Sequence, residues 1–495
     1  MSLRARQNCW TCKDRKIGCD RILPTCQNCS RTNRLCQGYG MKLAWPDTKS
    51  DGRRKQKRYS IEHNFTQLSS RYRKFRGGLA FLNTTAFDVK GIAPSLLDLI
   101  TENPSEVMVP RIMRSLSLNP TLTENDGLLL SYYDTVLARM ITTIDDDNNG
   151  FRTNILPMAL SSEDSTKSLL KATLALASFH LSKTEDAIQY KMAAFKRLCI
   201  SLWISKNSVA AQAASCMMLC VYSVFDPTDS SWPLHLKAAK DILKVIPEAA
   251  RTDFPLPFLS VWVDYHDILS EYSQRYPTFS GTSASDVIVP SSDDNDRKIV
   301  GLLGCSPEVM RLIGCINHLR ALIIRSRTHG PDSGIVQLAS IIRYRLQGLN
   351  QEVSFRLGQN AGTVDAGRVR RTAEFYRIGA LLYLHQVAPE SSLTAEYVPG
   401  LVREAFELMD WMEICTSPWP LFMLACHVTS DIDRIRVLDI LDSMDEKRRI
   451  GNVQIVRGII KTLWKQNDLR SDQRNEHIDD WRDLIDTSAG IPSFI

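Results

Sequence analysis

Six cysteines, Cys9, Cys12, Cys19, Cys26, Cys29 and Cys36, crowd into residues 9–36 with the spacing C-x2-C-x6-C-x6-C-x2-C-x6-C. Thiolates at such intervals bind zinc, which takes four ligands in a tetrahedron. One zinc would leave two cysteines over. Two zincs need eight ligand positions, and six cysteines fill eight only when two of them bridge. The arithmetic predicts a binuclear cluster. The half-pattern C-x2-C-x6-C occurs twice, so two similar loops related by a pseudo-twofold are expected. A disulfide knot would need secretion, and MSLRARQNCW, the start of the sequence, has no apolar signal-peptide core.

The charge is distributed to suit a polyanion. Residues 1–76 hold 19 Lys+Arg against 5 Asp+Glu, a balance of +14, which leaves −8 for residues 77–495 out of the total of +6. A basic head on a mildly acidic body is the electrostatic footprint of a nucleic-acid binder. Within the head, KDRKIG lies between Cys12 and Cys19 and brings Lys13, Arg15 and Lys16 together, and Arg21 follows Cys19. Lys and Arg donors match the O6 and N7 acceptors of guanine, and other basic side chains anchor on phosphate.

On these residues the stretch resembles the fungal Zn2Cys6 binuclear-cluster DNA-binding domain. The resemblance implies that the first and fourth cysteines, Cys9 and Cys26, bridge. Cys12 and Cys19 would then complete one zinc site, and Cys29 and Cys36 the other. It implies a short helix over KDRKIG whose C-terminal end enters the major groove at a CGG-type triplet of double-stranded DNA. Lys16 holds the base-contacting position, with Arg15 its basic neighbour, and Lys13 and Arg21 are candidates for phosphate. Pro24 matches the loop proline and Asp20 the acid after the third cysteine. The family's basic residue before that cysteine is here Gly18.

The head ends at Pro46, so residues 1–46 form the first domain. Residues 47–78 read as a basic linker, in which Arg53, Arg54, Lys55, Lys57 and Arg58 form a nuclear localisation signal. Ile61, Phe65, Leu68, Tyr72 and Phe75 follow at intervals of 4, 3, 4, 3, either a short coiled coil or a helix docked on the body. About two heptads is less than the ~3–4 of a self-sufficient coiled coil.

From residue 79 to 495 the periodicity predicts helix after helix, which makes the fold class all-α. Helices are expected over 162–182, 208–225, 367–387 and 400–416. Ile188, Met192, Phe195, Cys199 and Leu202 mark one apolar face of a helix opened by Thr184. Val453, Val456, Ile460 and Leu463 mark another, and Ser430 with Asp433 signals a helix start. The uncharged run from Asn207 to Phe225 is read as a buried helix rather than a membrane span. Loops are expected at 145–153, 273–298 and 357–366, and a final amphipathic helix in the tail from residue 477. This body resembles the fungal-specific transcription factor regulatory domain of the second type, most clearly at LLLSYYDTVLARM (128–140), NGFRTNILPMAL (149–160), LLKATLALASFHL (169–181), FYRIGALLYLH (375–385) and from Trp419 to Asp468.

Phosphate-loop, dinucleotide, zinc-protease and nucleophile-elbow motifs are absent from the sequence. The acidic clusters Asp145-Asp146-Asp147 and Asp293-Asp294-Asn295-Asp296 read as solvated loops rather than magnesium sites. His180 and His385 read as satisfied core histidines, and the seven cysteines outside the cluster as buried free thiols. The reading is a nuclear, zinc-dependent, sequence-specific transcription factor of RNA polymerase II genes, not an enzyme and not membrane-bound. It regulates a pathway or gene cluster, with coregulators and a homodimer among its partners. The rival is a helical enzyme or scaffold fused to a zinc cluster.

Overall fold

The computed structural model describes residues 8–38 and most of 122–495. Outside it lie 1–7, 23–24, 39–121, 204–207, 248–249, 277, 282, 290–292, 327–332, 355–364, 391–392, 413–414, 472–479 and 485–490. Pro24, the basic run Arg53 to Arg58, the Ile61–Phe75 stripe and most of the 357–366 loop are therefore outside the described residues. The chain divides into two compact units, Met1–Met108 and Val109–Ile495.

In the first unit, two five-residue helices, α1 (Trp10–Asp14) and α2 (Gln27–Arg31), are all the helix described. Five residues are far too few to hold a helix alone. The sulfurs supply what the helices lack: Cys9 accepts from the Cys12 amide at 3.4 Å and Cys26 from the Cys29 amide at 3.3 Å, each in the N-cap position. The apolar core of this unit, among the described residues, is four cysteines with no exposure, Cys9, Cys12, Cys26 and Cys29.

The second unit is a stack of helices: α3 (Glu124–Tyr132), α4 (Lys167–His180), α5 (Thr184–Trp203), α6 (Val209–Phe225), α7 (Trp232–Lys244), α8 (Leu256–Ser273), α9 (Pro307–Ser326), α10 (Ser333–Gly348), α11 (Ala366–Val387), α12 (Tyr397–Asp410), α13 (Pro418–His427), α14 (Asp431–Arg448) and α15 (Gly451–Ser471). Among the described residues there is no strand, only isolated bridges at Lys298–Glu352 and Val300–Cys305. Starts are set locally. Thr123 and Asp126 cap α3 reciprocally, both at 3.1 Å, and Ser430 accepts from the Asp433 amide at 3.1 Å to open α14, as its sequence signal indicates. After α3 the chain passes through a π-helical turn, Tyr133–Leu137.

Packing follows alanine. Ala172, Ala175 and Ala177 of α4 and Ala211, Ala213 and Ala214 of α6 are buried, and small side chains let α4, α5 and α6 approach closely. Every residue of α6 from Ala211 to Phe225 is buried, so the uncharged run is core helix, and no described helix is long and apolar enough to cross a membrane. Elsewhere α11 packs on α13 and α9, around Tyr272, Tyr383, Trp419 and Phe422.

The structure departs from the sequence expectations at four places. The apolar stripe of α5 faces outward: Ile188, Met192, Phe195 and Leu202 are 51 to 63% exposed, while Ala187, Ala194, Leu198 and Ser201 face in. Polar anchors choose that face, since the Tyr190 hydroxyl donates to Asp126 at 2.7 Å and the Lys191 ammonium meets Asp229 at 2.5 Å. Asp145 is no free loop carboxylate but pairs with Arg152 at 2.9 Å and Arg139 at 3.2 Å, and a π-helical turn starts at Phe151, inside the expected loop. Asp296 likewise pairs with Arg311. His180 is bonded on both nitrogens, to the Tyr132 hydroxyl and the Arg448 carbonyl, whereas half-buried His385 leaves Nδ1 without a partner. Among the described residues of the tail, Trp481–Leu484 form a 3₁₀ turn in place of the helix expected there. Trp481 and Phe494 are buried against Tyr272 and Phe422.

Candidate metal centre and nucleic-acid interface

The pseudo-twofold expected from the repeated half-pattern is visible atom by atom. Cys9 and Cys26 cap their helices, and Cys12 and Cys29 sit inside them. After each helix the chain turns through a left-handed residue, Lys16 (φ 55°) or Asn33 (φ 49°), and an amide returns to the helix: Ile17 to the Cys12 carbonyl at 3.1 Å, Arg34 to the Cys29 carbonyl at 2.9 Å. Non-glycine residues adopt that conformation at a cost, so something must hold both loops. The sulfur of Cys19, or of Cys36, arrives next in the chain and closes each loop onto the centre.

The sulfurs form two overlapping sets of four: Cys9, Cys12, Cys19 and Cys26, and Cys9, Cys26, Cys29 and Cys36, each with all Sγ atoms within 4.8 Å of one another. Cys9 and Cys26 belong to both. Their sulfurs stand 3.6 Å apart, and Cys12 lies 3.6 Å from Cys26. A zinc–sulfur bond of ~2.3 Å makes the edge of a ZnS4 tetrahedron about 3.8 Å, so the spacing suits a shared metal. All thirteen cysteines are free of disulfides. Burial pushes the Cys9 and Cys12 thiols up and that of Cys26 up to about 12, so these sulfurs are costly to ionise without a cation beside them. The donor set, soft, with Cys9, Cys12, Cys26 and Cys29 buried and Cys19 and Cys36 half-buried, fits structural zinc.

Around this centre the halves differ in surface chemistry. In the first, Lys13, Arg15 and Lys16 are all exposed, and the Lys13 ammonium lies 4.3 Å from the centre of the Trp10 ring. α1 stops at Asp14, so Arg15 is its C-cap and Lys16 stands in the turn beyond rather than within the helix over KDRKIG that the resemblance implied. In the second half the corresponding positions are Ser30, Thr32 and Asn33, uncharged and fitted to local bonds such as Thr32 Oγ1 to the Asn28 carbonyl at 2.7 Å, while that half's exposed cations, Arg31 and Arg34, stand at the positions of Asp14 and Ile17. Arg21 is exposed, in the left-handed region at φ 60°, and donates to Asn8 at 2.9 Å. Asp20 accepts from the Gln27 amide at 3.1 and 3.0 Å, so its carboxylate starts α2 instead of facing a ligand. The Asn28 amide donates to the Gly18 carbonyl, and a Cβ at Gly18 would meet nothing within 4 Å.

In the body, no other group of three or more metal-ligating side chains converges among the described residues. A cavity of about 40 Å³ among Tyr265, His266, Arg448 and Asn452 has room for water, while more open clefts of about 520 Å³ beside Tyr344 and Arg345 and about 320 Å³ beside Arg320 and Tyr383 fall within the ~300–1,000 Å³ of typical ligand pockets. Arg448 spends its donors on the Thr416 and Met140 carbonyls. His266 donates from Nδ1 to the Trp262 carbonyl at 3.0 Å, its Nε2 has no partner, and burial drives its pKa down to about 3.

Comparison with known proteins gives two family matches. Residues 128–494 match the fungal specific transcription factor domain, and residues 7–46 the fungal Zn(2)-Cys(6) binuclear cluster domain. Transcription factor iacI of Pestalotiopsis fici is 21% identical over 71% of this chain and 92% of its own length. The pestheic acid cluster transcriptional regulator 3 of the same fungus is 20% identical over 98% of both chains. The arginine metabolism regulation protein II of Saccharomyces cerevisiae is 51% identical over 37 residues, 8% of this chain and 4% of its own length. No solved structure matches.

Proposed function

The chain belongs to the fungal-specific transcription factor family, with a two-zinc Zn(2)-Cys(6) cluster at its head, and we propose that it reads CGG-type triplets in double-stranded DNA through the first half of that cluster. It is a pathway-specific DNA-binding regulator. The observation that carries the finer reading is where halves of near-identical backbone place their cations: the first has Lys13, Arg15 and Lys16 where the second has Ser30, Thr32 and Asn33, and the second's exposed Arg31 and Arg34 stand where the first has Asp14 and Ile17.

Cys9 and Cys26 are the sulfurs shared between two zinc ions, Cys12 and Cys19 complete one site, and Cys29 and Cys36 the other. The overlap of the two sulfur sets supports this. The zinc supplies a closed structural crosslink that holds the halves together. Lys16, set beyond the end of α1 by its left-handed backbone, reaches the guanine edges, with Arg15 beside it. Lys13 and Arg21 hold phosphate, which positions the head without specifying sequence. Arg53, Arg54, Lys55, Lys57 and Arg58 direct the protein to the nucleus, where coregulators and a second copy of the chain are its partners. The large helical unit regulates and does not catalyse. A name from one relative, a gene-cluster regulator, supports a biosynthetic cluster as the target.

Selection of bound sites from random DNA by the zinc-loaded full chain tests this reading. Enrichment of CGG-type triplets is the expected result. Recovery of sites without a shared triplet would overturn it.

A further inference from the structure

Each half of the head holds the loop of the other. In the first half, Thr11 stands two residues beyond the capping Cys9; in the second, Asn28 stands two residues beyond the capping Cys26. The Thr11 hydroxyl donates to the Leu35 carbonyl at 3.0 Å and accepts from the Gln37 amide at 2.9 Å, one on either side of Cys36. The Asn28 side-chain amide donates to the carbonyl of Gly18, the residue before Cys19. Equivalent helix positions thus tie down equivalent loops across the pseudo-twofold. The loop that Asn28 ties down carries Lys16. Residues 13–18 are all exposed, so hydrogen bonds rather than packing fix this turn. Its own half supplies two of them, Lys16 amide to Lys13 carbonyl and Ile17 amide to Cys12 carbonyl, both at 3.1 Å. Asn28 anchors the chain just beyond Lys16. With φ at 55°, Lys16 is in a conformation that a residue with a side chain keeps only while its surroundings hold it there.

From this we infer that Asn28 is a positioning residue for base reading: from the second half of the head it fixes the turn that aims Lys16, and through Lys16 it sets sequence specificity. The inference deepens the proposed function and rests on its assignment of Lys16 to the guanine edge. A contact to guanine O6 and N7 needs the cation within hydrogen-bond reach of fixed atoms, so freedom in the turn is lost discrimination. A phosphate contact carries no sequence information and is less affected. Thr11 is the internal control. It makes the equivalent bond to the other loop, where Asn33 stands in place of Lys16. A merely structural role for these two bonds predicts equal consequences. A positioning role predicts that specificity falls with Asn28 and not with Thr11.

Binding of the zinc-loaded full chain to a triplet duplex and to a scrambled duplex tests this, with zinc counted in every variant. Asn28→Ala should lower the triplet-to-scrambled affinity ratio about three- to tenfold, the range of one hydrogen bond's contribution, and should keep two zincs. Asn28→Gln retains the donor and should recover part of the ratio. Thr11→Ala should leave the ratio within about twofold of wild type. In a chain that already carries Lys16→Ala, adding Asn28→Ala should not change the ratio further, because the two residues act as one unit. An unchanged ratio in Asn28→Ala, an equal loss in Thr11→Ala, an Asn28 effect that persists without Lys16, or loss of zinc from Asn28→Ala would each overturn the inference. If Lys16→Ala alone leaves the ratio unchanged, the DNA reading fails and this inference with it. A ratio that falls with Lys16→Ala but not with Asn28→Ala overturns this inference alone.

Discussion

The two units solve the same problem by opposite means. The body orders its helices by burying tryptophan, tyrosine, leucine and alanine side chains over a continuous core, with polar groups such as Tyr190 and Lys191 deciding orientation. The head has two helices of five residues and a core made of cysteines. Its caps, its left-handed turns and its loop closures all point at one cluster of sulfur atoms. The body thus carries its stability in itself, whereas the head borrows stability from metal. The price is dependence on zinc, and the gain is a small platform that leaves Arg15 and Lys16 exposed.

The largest effect that would break this contrast is metal removal. Structural zinc contributes roughly 10–16 kcal/mol of apparent binding energy at neutral pH, more than the ~5–15 kcal/mol that holds a typical domain. A strong chelator is expected to abolish DNA binding while the far-ultraviolet helical signal, which comes mainly from the body, persists. Metal analysis should find two zincs per wild-type chain. Cys9→Ser or Cys26→Ser should deplete both sites, and Cys36→Ser mainly one. Equal loss from all three variants would mean that the bridging assignment is wrong.

Acid should act on the other unit. No histidine lies in residues 9–36, whereas His266 is fully buried in the body with its pKa held near 3 against an ordinary 6.5. Between those values the unfolded chain takes up a proton that the folded chain refuses. This contribution is therefore complete above pH 6.5 and is lost as pH falls, by about 1.4 kcal/mol per pH unit down to about 3. Denaturant titrations of the body at pH 7 and pH 5 measure it. His266→Gln should lose less stability across that interval than the wild type. Parallel pH dependences for the two proteins would show that His266 does not titrate on unfolding.

The smallest effect sharpens the difference between the two halves of the head. Lys16→Ala should cost about 1–3 kcal/mol at a triplet site and relax specificity there. Neutralising Arg53, Arg54 and Lys55 should instead weaken all DNA alike and reduce the salt slope by about one per lost phosphate contact. Binding to triplet and scrambled duplexes across a salt series separates the two. If Lys16→Ala weakens both duplexes equally, the head is a phosphate anchor and specificity lies elsewhere.

Much of the head was legible from residue identity and spacing, because a metal centre is local: six thiols within residues 9–36 admit few arrangements. That two of them bridge follows from counting ligands; that these are Cys9 and Cys26 came only from the family resemblance; and the basic segment sits between Cys12 and Cys19. Helix positions in the body were legible for a similar reason, since apolar periodicity and caps such as Ser430–Asp433 act within a turn or two. Val453, Val456, Ile460 and Leu463 line a buried face as their spacing indicates.

Which way a helix turns its stripe was not legible. In α5 the rhythm of Ile188 to Leu202 is that of a core face, yet the face is reversed by Asp126 and Asp229, the first of them some sixty residues away in the chain. The same holds for Asp145, whose partner Arg152 is fixed by a turn, and for Trp481, whose cage comes from α8, α13 and Phe494. Periodicity records that a helix has two unlike faces. Only the tertiary structure assigns one to the core, because that choice depends on long-range polar partners and on how closely alanines let neighbouring helices approach.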